Sequence, residues 1–151
     1  MTAKELSRPC VFCDIVAGRL PASVVYRDER VCAFMDIRPV NPGHLLVIPL
    51  AHAAGLATLE SDTGAQMFRV GQRLAEAIRR SGVRCEGINV LLADGEAAGQ
   101  EVFHVHLHVI PRYAGDGFGF RYGPEFGVLP DRTALEATAR AVREVLPGVE
   151  G

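Results

Sequence analysis

The chain has 151 residues, 48% hydrophobic and 23% charged, with a formal net charge of −2. That length fits one domain able to hold a core without disulfides, and four cysteines are too few for a secreted disulfide scaffold. The charge balance leaves no broad basic field for a nucleic acid backbone, and no segment approaches the roughly 20 apolar residues of a membrane span.

Residues 1–9 are polar and hold no apolar signal core, so the expected compartment is the cytoplasm. Residues 12–17 read as a short helical turn stopped by Gly18. Two β-rich runs, 23–27 and 31–35, flank Asp28-Glu29-Arg30 and read as a hairpin. Pro39, Pro42 and Gly43 make 36–43 a loop, and 45–48 is an apolar strand ended by Pro49. Between 62 and 81, Met67, Val70, Leu74 and Ile78 share one helical face, with Ser61 as the expected cap and Gly82 closing the helix. Residues 88–92 read as a strand, 93–102 as a loop and 103–110 as a strand stopped by Pro111. The glycine-rich stretch 114–127 is irregular. A last helix, 133–146, carries Leu135, Ala139, Val142 and Leu146 on one face, with Asp131 as a possible cap. Hairpin-joined strands with helices outside them predict an α+β fold on an antiparallel sheet.

Chemistry concentrates in the histidines. The chain has five, and three fall in His104-Val105-His106-Leu107-His108. On a strand, residues two apart share a face, so the three imidazoles line one face and Val105, Leu107 and Val109 bury the other. Three imidazoles suit zinc-activated water or, alternatively, nucleophilic attack on phosphorus. The preceding loop, Gly95-Glu96-Ala97-Ala98-Gly99-Gln100, offers backbone N–H groups that could cradle phosphate oxygens. Cys10 and Cys13 are spaced C-x-x-C, which is half a metal site; a redox pair and two unrelated core cysteines are the alternatives.

The H-x-H-x-H run followed by two apolar residues and preceded by Gly99-Gln100 resembles the histidine triad (HIT) family of nucleotide hydrolases and transferases. Phe34-Met35-Asp36-Ile37, the run from Pro42-Gly43-His44 to Pro49, and Cys10-Val11-Phe12-Cys13 agree with it in order. The likeness covers about residues 10–112 and is strongest to the small phosphoramidase-like bacterial branch, leaving 113–151 as a C-terminal extension of a single HIT domain. The resemblance implies a five-stranded antiparallel sheet with a long central helix and a C-terminal helix. It implies release of a nucleoside monophosphate from a phosphoramidate or dinucleoside polyphosphate through a covalent histidyl intermediate. A nucleotide-binding regulatory module with little turnover is the alternative.

Residue by residue, the resemblance makes His106 the nucleophile, with His108 contacting phosphate and assisting the leaving group. His104 helps fix the arrangement and His44 is a further active-site histidine. Gln100 and Gly99 approach the phosphate. Asp36 holds the ribose hydroxyls, and Phe34, Ile37 and Leu45 wall the base pocket. Ala93 stands where many relatives have a phosphate-donating asparagine, and Glu101 places an anion beside the phosphate. The same likeness implies one structural zinc per chain on Cys10, Cys13, His52 and His104, with no organic cofactor. It also implies a homodimer.

Overall fold

A computed structural model describes residues 10–148, so the reading of residues 1–9 lies outside the described chain. The chain divides into two units, one ending at Gly117 and the other beginning at Phe118. The first thus keeps five residues that the sequence reading assigned to the extension.

The first unit opens with helix α1 (Val11–Val16), capped by Cys10, whose Sγ accepts from the Cys13 N–H. Strands β1 (Val24–Arg27) and β2 (Val31–Met35) form the expected hairpin. Its turn is built by Asp28, whose carboxylate accepts from the backbone N–H groups of Arg30 and Val31, each at 2.8 Å. Strand β3 (Leu45–Pro49), helix α2 (Ser61–Arg80), strand β4 (Gly87–Leu92) and strand β5 (Leu107–Arg112) follow. The five strands form one antiparallel sheet in the order β1-β2-β3-β5-β4.

Alternation divides the sheet into two faces. Val31, Ala33, Leu45, Val47, Leu107 and Val109 face Met67, Val70, Ala75 and Ile78 of α2. Cys32, Phe34, Leu46 and Ile48 point the other way, under Phe12 of α1. Burial of each large apolar side chain contributes about 1.5–3 kcal/mol, so both faces stabilise the sheet. Gly71 lets α2 lie close to the sheet: a Cβ there would stand 2.9 Å from Leu107 Cδ2.

Three expectations are corrected. Glu60, not Ser61, caps α2; its carboxylate accepts from the N–H groups of Asp62 and Thr63, and Ser61 is the first helical residue. Strand β5 begins at Leu107 rather than Phe103, because the Val105 N–H donates to Ala53 O at 2.7 Å instead of to a neighbouring strand. It also runs through Pro111. The pairing with β3 stops at Val109, so the missing proline N–H deprives no strand of a bond, and Pro111 O accepts from the Asn41 side chain at 2.9 Å.

The second unit holds helix α3 (Arg132–Val145), capped as expected by Asp131 on the Ala134 N–H. Its apolar residues are not buried: Leu135, Val142 and Leu146 are all exposed. Tyr122 and Phe126 stack with ring centroids 3.9 Å apart. No helix among the described residues is long and apolar enough to cross a membrane.

Candidate active site

The sheet face under α1 carries the histidines, but not as one row of three. His106 and His108 stay together, with ring centroids 4.8 Å apart. His104 precedes the strand and turns its ring away, to 5.0 Å from His52. His44 joins the other pair from the start of β3, with its Nε2 2.9 Å from His108 Nδ1. His44, His104 and His106 are buried.

Backbone partners fix which ring nitrogens carry protons, because a carbonyl only accepts and an amide only donates. His106 donates from Nδ1 to His104 O at 2.8 Å, so its Nε2 holds a bare lone pair. His104 donates from Nε2 to Pro49 O at 2.8 Å, so its Nδ1 is the bare nitrogen. His44 Nδ1 accepts from the Val40 N–H at 3.1 Å. Burial, with the neighbouring imidazoles adding to it, pushes His108 down to about 4, and burial also lowers His44 despite the Asp36 carboxylate.

Cys10, Cys13, His52 and His104 offer ligand atoms all within 4.8 Å of one another. The bare Nδ1 of His104 lies 3.3 Å from Cys10 Sγ and 3.6 Å from Cys13 Sγ, and His52 Nδ1 lies 3.4 Å from Cys13 Sγ. Tetrahedral zinc, with Zn–S near 2.3 Å and Zn–N near 2.0–2.1 Å, places nitrogen and sulfur about 3.6 Å apart. The spacing and the donor set therefore fit a closed Cys₂His₂ site. Asp36, His44 and His108 also cluster within 4.8 Å, but His44 Nε2 is engaged by His108 Nδ1 at 2.9 Å, with Asp36 3.6 Å away. With Nδ1 accepting from Val40, neutral His44 carries its proton on Nε2 and has no lone pair there for a metal.

The remaining candidates divide. Phe34 is buried on the histidine face. Leu45 is not on that face: it packs toward α2, and its neighbour Leu46 is the residue paired with His108. Ile37 is 92% exposed and forms no part of a closed wall. Asp36 accepts from the Arg38 N–H at 2.8 Å and stands 3.6 Å from His44 Nε2. Both amide hydrogens of Gln100 are engaged, by Ala54 O at 2.7 Å and Val102 O at 3.1 Å, and its Oε1 accepts from the Gly95 N–H. The backbone N–H groups of Ala98, Gly99 and Gln100 likewise close the loop's own turns. The expected phosphate cradle is thus mostly self-bonded, with Gln100 as its internal brace. Glu101 pairs with Arg38 at 3.1 Å on the surface, which meets its charge.

Two participants escaped the sequence reading. Phe12 is buried edge-on against Phe34, His104 and His106, with centroids 5.3–5.8 Å away. Its signal was its place inside the C-x-x-C pair. The Val40 N–H has no side-chain signal at all.

The HIT domain family signature matches residues 17–115. The chain belongs to the HIT family. A HIT-like protein of Mycobacterium tuberculosis is 43% identical over 138 residues, covering 91% of this chain and 93% of that one. The crystal structure of a HIT family member from Bacillus subtilis superposes with a TM-score of 0.84 at 37% identity, covering 94% of this chain and 100% of that chain. A zinc-bound histidine triad family protein from Mycobacterium smegmatis is 42% identical, with a TM-score of 0.70, over 94% of this chain and 99% of its own. HIT proteins bind nucleotides and are generally nucleotide hydrolases. The five-stranded antiparallel sheet with its helices is the HIT fold.

Proposed function

We propose that this HIT protein releases a nucleoside monophosphate, with AMP the first to test, from a phosphoramidate or dinucleoside polyphosphate through a covalent intermediate on His106. The observation that carries the reading is the state of that ring. Its Nδ1–H is held by His104 O, so the Nε2 lone pair is available, and His108 stands beside it.

In the first step the His106 Nε2 lone pair attacks the α-phosphorus and a P–N bond forms. The bond to the leaving group breaks, and its electron pair departs with that group. The positive charge that develops on His106 is met at Nδ1–H by the His104 carbonyl. Water then attacks the same phosphorus, a P–O bond forms as the P–N bond breaks and returns its electron pair to His106 Nε2, the water proton passes to solvent, and the monophosphate is released. His108 contacts the phosphate oxygens from Nε2. Asp36 keeps acceptor sites for two ribose hydroxyls, since a carboxylate offers about four. Phe34 backs the base pocket.

Zinc on Cys10, Cys13, His52 and His104 would be structural, tying α1 to the segment before β5. It leaves catalysis to the histidines. A second copy of the chain would complete a homodimer in the cytoplasm. The unpaired outer edge of β4 and the exposed apolar face of α3 favour it.

A second reading is favoured by one observation: Gln100 and its loop are bonded internally, and Ala93 supplies no donor. Under it the protein binds nucleotide and turns over little. Single-turnover and steady-state release of AMP from an adenosine phosphoramidate, a dinucleoside polyphosphate and an aminoacyl adenylate separates the two. Turnover that survives a chelator and falls by about 10⁴-fold or more in His106→Ala supports covalent catalysis. Tight binding without release by the wild type replaces it with the regulatory module.

A further inference from the structure

The geometry points to a role for a backbone group that carries no side-chain chemistry. We propose that the Val40 N–H fixes the tautomers of His44 and His108. It thereby holds His108 as a neutral Nε2–H donor and makes His44 a positioning residue rather than a proton carrier.

One chain of hydrogen bonds sets both tautomers. The Val40 amide can only donate, so His44 Nδ1, 3.1 Å away, is unprotonated. Neutral His44 then carries its proton on Nε2, which is 2.9 Å from His108 Nδ1. Only one proton fits between those two nitrogens. His44 donates it, His108 Nδ1 accepts it, and the proton of His108 resides on Nε2. A second proton on either ring would break the chain. On His44 Nδ1 it would face the Val40 N–H; on His108 Nδ1 it would face the His44 N–H.

The charged and titratable groups around the pair are Asp36, 3.6 Å from His44 Nε2, and His106 beside His108. Asp36 favours a charged His44, and burial opposes it.

The loop that presents Val40 is built to stay in place. Asn41 is buried, and its side chain donates to Pro111 O at 2.9 Å and to Asp116 Oδ2 at 2.8 Å. Its carbonyl accepts from the His44 N–H at 3.1 Å. Asp116 is gripped in turn by Arg112 through two bonds of 2.6 and 2.8 Å. These bonds hold the Val40 amide against His44 from the far end of β5.

A neutral imidazole N–H donates a hydrogen bond but does not give up its proton near neutral pH. Leaving groups stable as anions, phosphates and carboxylates, are therefore favoured over amines. This last clause rests on the covalent reading of His106; the tautomers do not.

The test is ¹⁵N-edited NMR of the imidazoles in the full-length, zinc-loaded protein. The expected spectrum shows His44 and His108 both protonated on Nε2, with no second proton on His108 from about pH 8 down to about pH 5.5. An Nδ1–H signal on either ring, or imidazolium at His108 in that range, overturns the proposal. Val40→Pro deletes the donor, and Val40→Ala keeps it. The proline variant is expected to mix the tautomers and to lower kcat about 10-fold with KM within about twofold, because it disturbs orientation and not binding. Unchanged tautomers in a folded proline variant overturn the proposal. If that variant does not fold, the wild-type spectrum decides by itself. In the same samples, faster cleavage of a dinucleoside polyphosphate than of a phosphoramidate supports the leaving-group order, and the reverse order overturns it. Cleavage of neither, with the expected tautomers present, refutes the covalent reading and leaves the tautomer assignment standing.

Discussion

Gly43 sits at φ +96°, immediately before His44, and replacing it by alanine tests how tightly the site loop is packed. A Cβ there would stand 2.8 Å from Val83 Cγ1 and 3.2 Å from Pro111 Cγ. Neither neighbour yields easily: valine is stiff at χ1 and proline is a closed ring in a strand. Two costs add. Left-handed backbone costs a non-glycine residue about 1–2 kcal/mol. Overpacking against rigid neighbours costs about 1–3 kcal/mol more. In a chain of this size each kcal/mol lowers Tm by about 2–4 °C, so Gly43→Ala should melt roughly 4–20 °C below wild type. Gly82→Ala is the internal control, since φ is +84° there but a Cβ meets nothing within 4 Å. It should lose only the backbone contribution, about 2–8 °C. Calorimetry or circular dichroism of the two variants beside wild type measures both. Equal losses in the two would refute the clash, and a Gly43→Ala protein melting with the wild type would refute the strain as well.

Three further predictions concern the metal, the histidines and the buried ion pair. Metal analysis of protein purified without chelator should find one zinc per chain, and Cys13→Ala should lose it with a drop in Tm; zinc-free wild type of undiminished stability would exclude the site. His108 falls from an ordinary 6.5 to about 4, so the unfolded chain takes up a proton between those values and the folded chain does not. That stability, about 3 kcal/mol, is present above about pH 6.5 and is lost as pH falls toward 4; denaturant titrations should show it, and His108→Gln should remove that share of the pH dependence. The Asp116 side chain is buried and is gripped by a part-exposed Arg112, so Asp116→Asn should lower the denaturation midpoint clearly more than Arg38→Ala, which breaks only the exposed pair with Glu101 and should cost under about 1 kcal/mol.

Much of this site was legible from period alone. Alternation in the stretch from 103 to 110 correctly buries Val105, Leu107 and Val109 and sets His106 and His108 together on the opposite face. The same rule fails at His104, because the backbone before Leu107 bonds to Ala53 and is not a strand, and the ring is drawn to the cysteines. The resemblance puts Leu45 in the base pocket, yet it packs toward α2, and strand period does not say which parity faces the helix. The register Leu46↔His108 does, and register is a property of two strands. Gln100 shows another limit. Its residue type suits phosphate and suits bracing a loop equally, and only the carbonyls of Ala54 and Val102 reveal the second use. The apolar face of α3 is plain from its period, but a pattern within one helix does not say what covers it.

The inner nitrogens of three histidines rest on backbone atoms: His44 on Val40 N, His104 on Pro49 O and His106 on the carbonyl of His104. Instructions for proton placement are thus written in the main chain, where mutation seldom reaches. Every residue type but proline carries the N–H that His44 uses at position 40. A table that scores side chains alone has no column for a contact made by a main-chain amide, so the bond from Val40 N to His44 is invisible to it.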